Sequence, residues 1–589
     1  MDAINLEAVI GSRFPGFLDR MPPLTSDWVP ALLKRILHLD EINRGLELLK
    51  NKKGLEFIEE LFDYLNFSYL LSGLDRKKIP SEGRLICVAN HPLGGLDGLA
   101  ILKALGEIRP DVKIVVNDVL LQVKNLADLF LPYDIFSSRN QRRNIVGIKN
   151  AILDEQAVIF FPSAEVSRLG LHGIQDGKWH NGAAYFASKY EVPVLPVYVQ
   201  GKNSLLFYLI SLLNKRFSMF LLPGELYKLR SRNIRLKIGD PIPGSVFKKD
   251  VISVDTLSRL MRSHVYRIGK DKPGIFKTEK TIIHPVEKTI LKKEFAEAPL
   301  LFAPAESKKV FLVNHAQGKN ILTEIARLRE ITFRRVGEGT GEKMDFDLYD
   351  RNYAHIVLWD EENLEIMGAY RLAICKDILK QHTLDDLYTS TLFNYSARFC
   401  AELPQSIELG RSFIHYSYWR SNALHYLWKG IGALLNRLPD VKYLYGAVSI
   451  SNTYSDIARS LIVHYYKKWY GVPEKYIHAK FPFRISREME TEVNSILMAD
   501  TPEEDYRTLK EVLKNYGFAI PILFKQYTGL CEPGGVRFHD FCEDSSFKTV
   551  DGLVVLEIAK IMPSKRKLCG LNVEQHSPDN NVYSTGNAP

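Results

Sequence analysis

A histidine and an aspartate with five residues between them, His91 and Asp97 in VANHPLGGLDGLA (88–100), are the first residues here whose types and spacing could do chemistry. They follow a short apolar run that predicts a strand and lead into a helix-compatible stretch. A strand end in an open α/β sheet faces the crevice where ligands bind. Gly94, Gly95 and Gly98 allow a tight turn, through which Asp97 can reach back to His91. A carboxylate on one imidazole nitrogen fixes the tautomer and leaves the other nitrogen as a base. Such a base could take a proton from a hydroxyl attacking a thioester. An isolated pair of this kind is more often a loop histidine beside a helix-capping aspartate, so its meaning depends on its neighbours.

A second candidate centre is IELGRSFI, where Glu408 and Arg411 stand three apart. In a regular strand, positions three apart face opposite sides. The pair shares a pocket only if the backbone leaves regular geometry near Gly410; otherwise it is a surface ion pair of little value. A glutamate here could deprotonate an amine, directly or through water. Arginines could hold a carboxylate or a phosphate by paired hydrogen bonds. Arg329 in LREITFR, Asp345, Asp347 and His355 in MDFDLYDRNYAHIVLWD, and Arg371 in MGAYRLA precede the pair.

The elements that must position these groups follow an α/β pattern. RLICVAN (84–90), VKIVVN (112–117), AVIFFP (157–162), VPVLPVYVQG (192–201) and IRLKIG (234–239) predict strands separated by helices. Pro193 and Pro196 mark the fourth run as an edge or a pocket wall. FFPSAEVSR (160–168) places Glu165 and Arg168 in the loop beyond the third run, where backbone N–H groups can meet an anion. Arg139, in IFSSRNQRRN, is a third candidate anion contact, although taken alone it reads as a surface residue. Residues 28–74 predict helices. A second set of strands is HIVLWD (355–360), EIMGAYRLA (365–373), SIELGRSFI (406–414) and KYLYGAVSI (442–450), with a helix at 423–438. The expected fold class is α/β, with two different domains, each a mixed sheet flanked by helices. The expected organisation is a helical region 1–75, a first domain 76–267, a Lys- and Pro-rich linker 268–300, a second domain 301–570 and a polar, disordered tail 571–589.

Bulk properties narrow the classes. The 589 residues, 46% hydrophobic and 25% charged, suit a folded chain of several domains. A net charge of +9 suits anionic partners: phospholipid headgroups, an acidic carrier protein or nucleic acid. It equally suits a merely solvated surface. The basic stretch YKLRSRNIRLK (227–237) has no nucleic-acid recognition motif beside it, so no nucleic-acid partner is expected. Six scattered cysteines without CxxC spacing argue against a metal site or a disulfide framework and for a reducing compartment. No signal peptide is evident, and no run approaches the ~20 apolar residues of a membrane span. The most lipid-like stretch, LLFYLISLLNKRFSMFLL (205–222), is broken by Asn214, Lys215 and Arg216. It fits an interfacial segment or a buried helix.

The order NHPLGGLD, arginine loop, FPSAEVSR, VPVLPV resembles the four blocks of the glycerolipid acyltransferase family, lysophosphatidate type, over roughly residues 60–265. The resemblance implies His91 as general base, Asp97 as its orienter, Arg139, Glu165 and Arg168 at the acceptor, and Pro196 in the fourth block. Two departures stand out. Five residues separate His91 from Asp97 where the family has four, and Ser163 and Ala164 intervene between Pro162 and Glu165. The second weakens the case for a phosphate-bearing acceptor. Both resemble the branch of hemolysin-like and aminolipid acyltransferases.

LREITFR, the Phe346–Asp347 pair, MGAYRLA, ELGRS and WKGIGALL, in that order, resemble the N-acyltransferases that make lyso-ornithine lipid. More distantly they resemble acyl-homoserine lactone synthases, which share the GNAT-like fold. Asp345 fits that pattern one position out of step. The resemblance implies an amine attacking a 3-hydroxyacyl thioester with no covalent intermediate. Glu408 would be the base, and Arg329, Asp347, Arg371 and Arg411 would bind substrate. As a whole the chain resembles the bifunctional ornithine-lipid or glycine-lipid synthases. What that implies is an acyltransferase without a bound cofactor, using acyl carrier protein or coenzyme A thioesters. It would N-acylate an amino acid and then O-acylate the 3-hydroxyl of the lyso-aminolipid. It would be cytoplasmic and peripheral on the inner face of the membrane. The alternatives are a phospholipid acyltransferase fused to an unrelated GNAT-like domain, and a lytic membrane-active protein, for which no amphipathic span is apparent.

Overall fold

The computed structural model describes residues 38–116, 123–133, 141–170, 173–213, 218, 221–230, 232–248 and 252–571. Arg139, Lys215, Arg216 and the tail from 572 lie outside them. The chain divides into two units, residues 1–281 and 282–589.

The first unit contains β1 (Ser68–Leu71), β2 (Leu85–Ala89), β3 (Val112–Val116), β4 (Phe130–Pro132), β5 (Ala157–Phe160), β6 (Arg168–Gly170), β7 (Gly173–Gln175), β8 (Val194–Gln200) and β9 (Asn233–Ile238). Seven of these form one sheet in the order β1-β9-β8-β2-β5-β3-β4, while β6 and β7 form a separate hairpin. Every pairing in the large sheet is parallel except β8 with β9. All residues of β2 and β5 are buried, as parallel strands covered on both faces should be. Leu85, Cys87 and Ala89 pack on the Gly95–Gly106 helix side, and Ile86 and Val88 on the opposite side with Phe186 and Met261.

All five predicted strands are present. Two expectations need correction. Ser68–Leu71, read as the end of a helix, is a strand. It pairs in parallel with β9, from Ser68 opposite Asn233 to Leu71 opposite Leu236, and alternates in burial. A partner strand more than 160 residues away supplies this, which local periodicity cannot foresee. The proline-containing β8 is an interior strand, not an edge. Pro196 is tolerated because it faces the side where the ladder to β9 lapses. There its carbonyl accepts from Gly239 N–H at 2.9 Å, and regular pairing resumes at Val197.

The second unit contains β10 (Leu300–Ala305), β11 (Lys308–Asn314), β12 (Ala354–Asp360), β13 (Glu365–Ile374), β14 (Phe393–Tyr395), β15 (Ser406–Ile414), β16 (Tyr443–Ser451), β17 (Ile477–Ala479), β18 (Val536–Asp544) and β19 (Thr549–Glu557). Eight form a sheet in the order β10-β11-β12-β13-β15-β16-β19-β18, and β14 pairs with β17. Only β15 and β16 run parallel in the large sheet, and they pair only over Ser406–Glu408 and Tyr443–Tyr445 before parting. The predicted helix, here Ala423–Leu435, buries Leu427, Trp428 and Ile431 against Leu358, Tyr370 and Leu409. The Lys319–Val336 helix covers part of the other face through Ile325 and Leu328, against Val357 and Ala369. The β10–β11 and β18–β19 hairpins were not foreseen. In VRFHDFCED the buried residues include His539 and Asp540, which hides the apolar pattern of a core strand. Residues 268–300 hold the end of the Val254–Gly269 helix, an irregular stretch and the Lys288–Glu297 helix, in which Leu291 and Phe295 are buried.

Candidate active sites

In the first unit, β2 ends at Ala89 and the next residue locks it in place. Asn90 donates to the Val199 carbonyl at 3.0 Å and accepts from Val199 N–H at 2.7 Å, pinning β2 to β8. His91 follows with its backbone held at both ends. Its N–H donates to Asp176 Oδ1 at 3.1 Å, and its carbonyl accepts from Ser167 N–H at 2.7 Å. The chain then turns through Gly94, at φ 91°, into the Gly95–Gly106 helix. Asp97 is fully buried in the first turn and accepts from Leu93 N–H and Gly98 N–H, both at 2.9 Å. Its Oδ1 lies 3.1 Å from Nδ1 of His91. That contact is short enough for charge attraction but is not aligned as a regular hydrogen bond. The imidazole lies tilted by 35° against Phe161, ring centroids 4.3 Å apart, and is 20% exposed. Nε2, the nitrogen away from Asp97, is therefore the one free to serve as base.

Burial alone would lower the His91 pKa. The charge of Asp97 and the more distant Asp176 overcome that and hold it above the ordinary value. Asp176 also accepts from Ser167 Oγ–H and Trp179 Nε1–H, so it ties the third sequence block to the His91 loop. The sequence reading missed Asp176; nothing in its spacing distinguishes it. Glu165 is exposed. The Arg168 guanidinium lies 3.5 Å from it and donates to the hydroxyls of Ser211 and Ser218. The structure thus gathers His91, Asp97 and the loop of Glu165 and Arg168.

In the second unit, register places polar residues on one sheet face. His355 is opposite Arg371, Ala373 opposite Glu408, Glu408 opposite Tyr445, and Ser449 opposite Asp551. Because side chains alternate along a strand, His355, Arg371, Glu408, Ser449 and Asp551 share that face. The irregularity expected near Gly410 exists. Residues 411–412 bulge opposite Tyr370, and Arg411 adopts φ 47°. The bulge brings Arg411 to Glu408's side of the sheet, over Tyr388 and Phe547.

Three guanidinium groups face three carboxylates here. Arg329 donates to both oxygens of Asp350 at 2.8 Å and to the Asp345 carbonyl. Arg371 donates to Asp347 at 2.5 Å and lies 3.4 Å from Asp350. Arg411 is the loosest, 3.7 Å from Asp345 and 3.8 Å from Asp347. Asp350, missed in the sequence, also contacts His355 Nε2 at 3.2 Å. Burial opposes its charge, but Arg329, His355 and Arg371 hold its carboxyl far below the ordinary range. Burial, only partly offset by Asp350, lowers His355. Several buried polar atoms of the lattice keep no hydrogen bond: Arg371 Nε and Nη2, Arg411 Nε, and Oδ2 of Asp345 and Asp347.

Glu408 is saturated. It accepts from Tyr353 O–H, Tyr388 N–H at 3.2 Å, Thr389 N–H at 2.7 Å and Thr389 Oγ1–H at 2.6 Å. Asp551 is different. It accepts from Thr549 Oγ1–H at 2.7 Å. Burial raises its carboxyl pKa to about 7; Thr549 opposes this, Asp544 and Glu338 add to it, and Arg411 opposes it. Glu338, which accepts from Ser449 at 3.0 Å, is raised too, chiefly by burial.

The family patterns fall on these two regions. The Acyltransferase family matches residues 9–266, and the Acetyltransferase (GNAT) domain matches residues 328–429. A glycine N(alpha)-acyltransferase of Bacteroides thetaiotaomicron is 35% identical over 262 residues, covering 42% of this chain and 77% of that protein. A lyso-glycine lipid O-acyltransferase of the same organism is 30% identical over 254 residues, covering 42% of this chain and 90% of that one. Its counterpart in Phocaeicola vulgatus is 32% identical, covering 38% and 81%. The chain belongs to these acyltransferase families. It is an enzyme that transfers acyl groups, with an acyltransferase domain and a GNAT domain in one polypeptide. In this acyltransferase the candidate residues His91 and Asp97 lie within the first matched region, and Arg329, Asp347, Arg371, Glu408 and Arg411 within the second.

Proposed function

We propose that this acyltransferase makes a diacylated glycine lipid by itself. The GNAT-like unit would N-acylate glycine with a 3-hydroxyacyl group, and the His91 unit would then O-acylate the new 3-hydroxyl. One observation carries the reading: in Bacteroides thetaiotaomicron the two relatives are separate proteins, each matching about two-fifths of this chain. The donor is an acyl thioester, delivered by an acyl carrier protein, and the enzyme works peripherally at a membrane where its lyso-lipid accumulates.

In the first step the amine nitrogen bonds to the thioester carbonyl carbon, the C–S bond breaks, and the thiolate leaves. The wedge where β15 and β16 part exposes backbone N–H and C=O groups, and these suit the amides of an extended thioester arm. Arg411, Arg371 and Asp347, with their unfilled hydrogen-bonding capacity, suit a small zwitterion. Glu408, the base implied by the family pattern, must release one of its four donors to accept the ammonium proton. The near-neutral Asp551 on the same face favours a second reading, in which Asp551 takes that proton and Glu408 holds Tyr353 and the Tyr388–Thr389 segment in place.

In the second step Nε2 of His91 takes the proton of the 3-hydroxyl as oxygen attacks the second thioester. The imidazolium, held by Asp97, returns that proton to the leaving thiolate. Glu165 and Arg168 lie at the acceptor side.

The test is lipid mass spectrometry of a host lacking aminolipids but supplying carrier-linked 3-hydroxyacyl groups. Expression of the chain should give diacylated glycine, and His91→Ala should give the monoacyl form with its free hydroxyl. No new aminolipid in such a host would sink the proposal.

A further inference from the structure

The Leu205–Leu213 helix, LLFYLISLL, has no charged residue, and its side chains divide between two faces. Phe207, Tyr208 and Ser211 are buried, the first two against Val166. Leu205, Leu206, Leu209, Leu212 and Leu213 point the other way and are 53–88% exposed. Their spacing makes one outward stripe. A helix on a water-facing surface carries polar residues there; a contiguous apolar stripe marks contact with another apolar phase.

The helix is firmly tied to the His91 loop. Asn203 donates through Nδ2 to the carbonyl of Pro92, the residue after His91, at 3.0 Å, and its backbone N–H donates to the Tyr208 hydroxyl at 3.0 Å. Arg168 holds Ser211. An exposed cation, Lys202, stands three residues before the helix start; Lys228, nearby, is already committed to the buried Glu225 at 2.7 Å. An apolar stripe with a lysine beside it is the pattern of a helix lying in a lipid interface. Anionic headgroups complement the exposed cation.

We propose that the leucine stripe of the Leu205–Leu213 helix docks this unit on an anionic bilayer, with leucines among the acyl chains and Lys202 at the headgroup phosphates. The His91 loop is thereby presented to a membrane-borne acceptor; only this last clause rests on the lyso-lipid reading above.

The full-length chain is floated with phosphatidylcholine vesicles containing phosphatidylglycerol. The wild type should rise with them. The Leu209→Ser, Leu212→Ser, Leu213→Ser variant should bind on the order of tenfold or more weakly, with an unchanged thermal melt. Lys202→Glu should weaken binding to the anionic vesicles and leave any binding to pure phosphatidylcholine unaltered. Equal flotation of wild type and the leucine variant overturns the proposal. So does a wild-type dimer that the leucine variant loses while its vesicle binding persists, because the stripe is then a self-association face. Flotation reads docking without any acyl transfer. Acylation of a lyso-acceptor in detergent micelles, measured on the same preparations and expected to survive in the leucine variant, reads the chemistry separately.

Discussion

The His91 loop and the Glu408 face carry their charge in opposite ways. In the first, one buried aspartate sits 3.1 Å from one imidazole, and a second, Asp176, holds the histidine's backbone. Among the described residues no other cation pairs with Asp97, so its charge acts on His91 and raises that group. In the second, three guanidinium groups and three carboxylates interlock, and the lattice nearly neutralises itself. Inside the lattice each charge is locked by its opposite: Asp350 is driven down and Arg371 up. The carboxyls that are raised, Asp551 and Glu338, stand beyond its core, and Arg411 is the lattice group that opposes the rise. A lone pair tunes a base; a lattice builds a floor and leaves tuning to its margin.

If so, the largest effects come from removing the base of the lone pair. His91→Ala should reduce O-acylation by about 10²–10⁴-fold and leave N-acylation at the wild-type rate, read by separating monoacyl and diacyl products. A parallel loss of both activities would mean that the halves are not chemically distinct.

Glu408 should respond as part of a floor. Glu408→Ala removes the acceptor of Tyr353 O–H and of the Thr389 N–H and hydroxyl in a buried site, while Tyr388 N–H keeps Tyr353 Oη at 2.8 Å; it should cost about 2–4 kcal/mol, seen as a lower denaturation midpoint, together with N-acylation. Glu408→Gln keeps one acceptor oxygen but presents an NH₂ to donors. If Glu408 only positions Tyr353 and Thr389, Gln should retain more activity than Ala; if it is the base, the two should be equally inactive despite different stabilities.

The same contrast governs what could be read from the sequence. His91 and Asp97 lie within one strand–turn–helix unit, so their spacing and the glycines between them announced the pair. The C-terminal face draws His355, Arg371, Glu408, Ser449 and Asp551 from five strands. The pieces inside recognisable blocks, Arg329, Asp345, Asp347, His355, Arg371, Glu408 and Arg411, stood out beforehand; Asp350, Ser449 and Asp551 did not. Asp551 sits in TVDGLVVLE, where a lone aspartate in an apolar run looks like a turn, and only the register opposite Ser449 reveals its company. The requirement that the backbone break at Gly410 was legible, because three-residue spacing in a strand forbids a shared pocket otherwise. The parallel edge strand β1 was not, because its partner lies in β9.

Asp97→Asn sharpens the lone-pair half. A general base must be neutral, so O-acylation should rise with pH through the elevated His91 pKa. With the aspartate's charge removed, burial dominates and the rising limb should move to lower pH. The plateau should fall by about 10–100-fold as the ring loses its orienter. A limb that stays in place would mean that the group seen titrating is not His91.

The smallest effect tests the margin of the lattice. Asp551 has a folded-state pKa near 7 against about 4 for an unfolded aspartate. The folded chain therefore holds this proton more tightly than the unfolded one. Below pH 4 the residue is neutral in both states and costs nothing. Between pH 4 and 7 it increasingly opposes folding, by up to roughly 3–4 kcal/mol above that window. Asp551→Asn, which can still accept from Thr549, should leave the melting temperature unchanged at pH 4 and raise it by several degrees at pH 8. Glu338, Asp544, Arg411 and Tyr388 face the same group, and Glu338, itself raised by burial, should leave a smaller residual pH dependence in the variant. If Asp551 takes the ammonium proton, the stabilised variant should lose N-acylation and the pH limb near 7 together. If its burial is merely structural, the variant should be more stable and equally active. The Asn variant therefore measures, in one protein, what the buried carboxyl costs the fold and what it contributes to N-acylation.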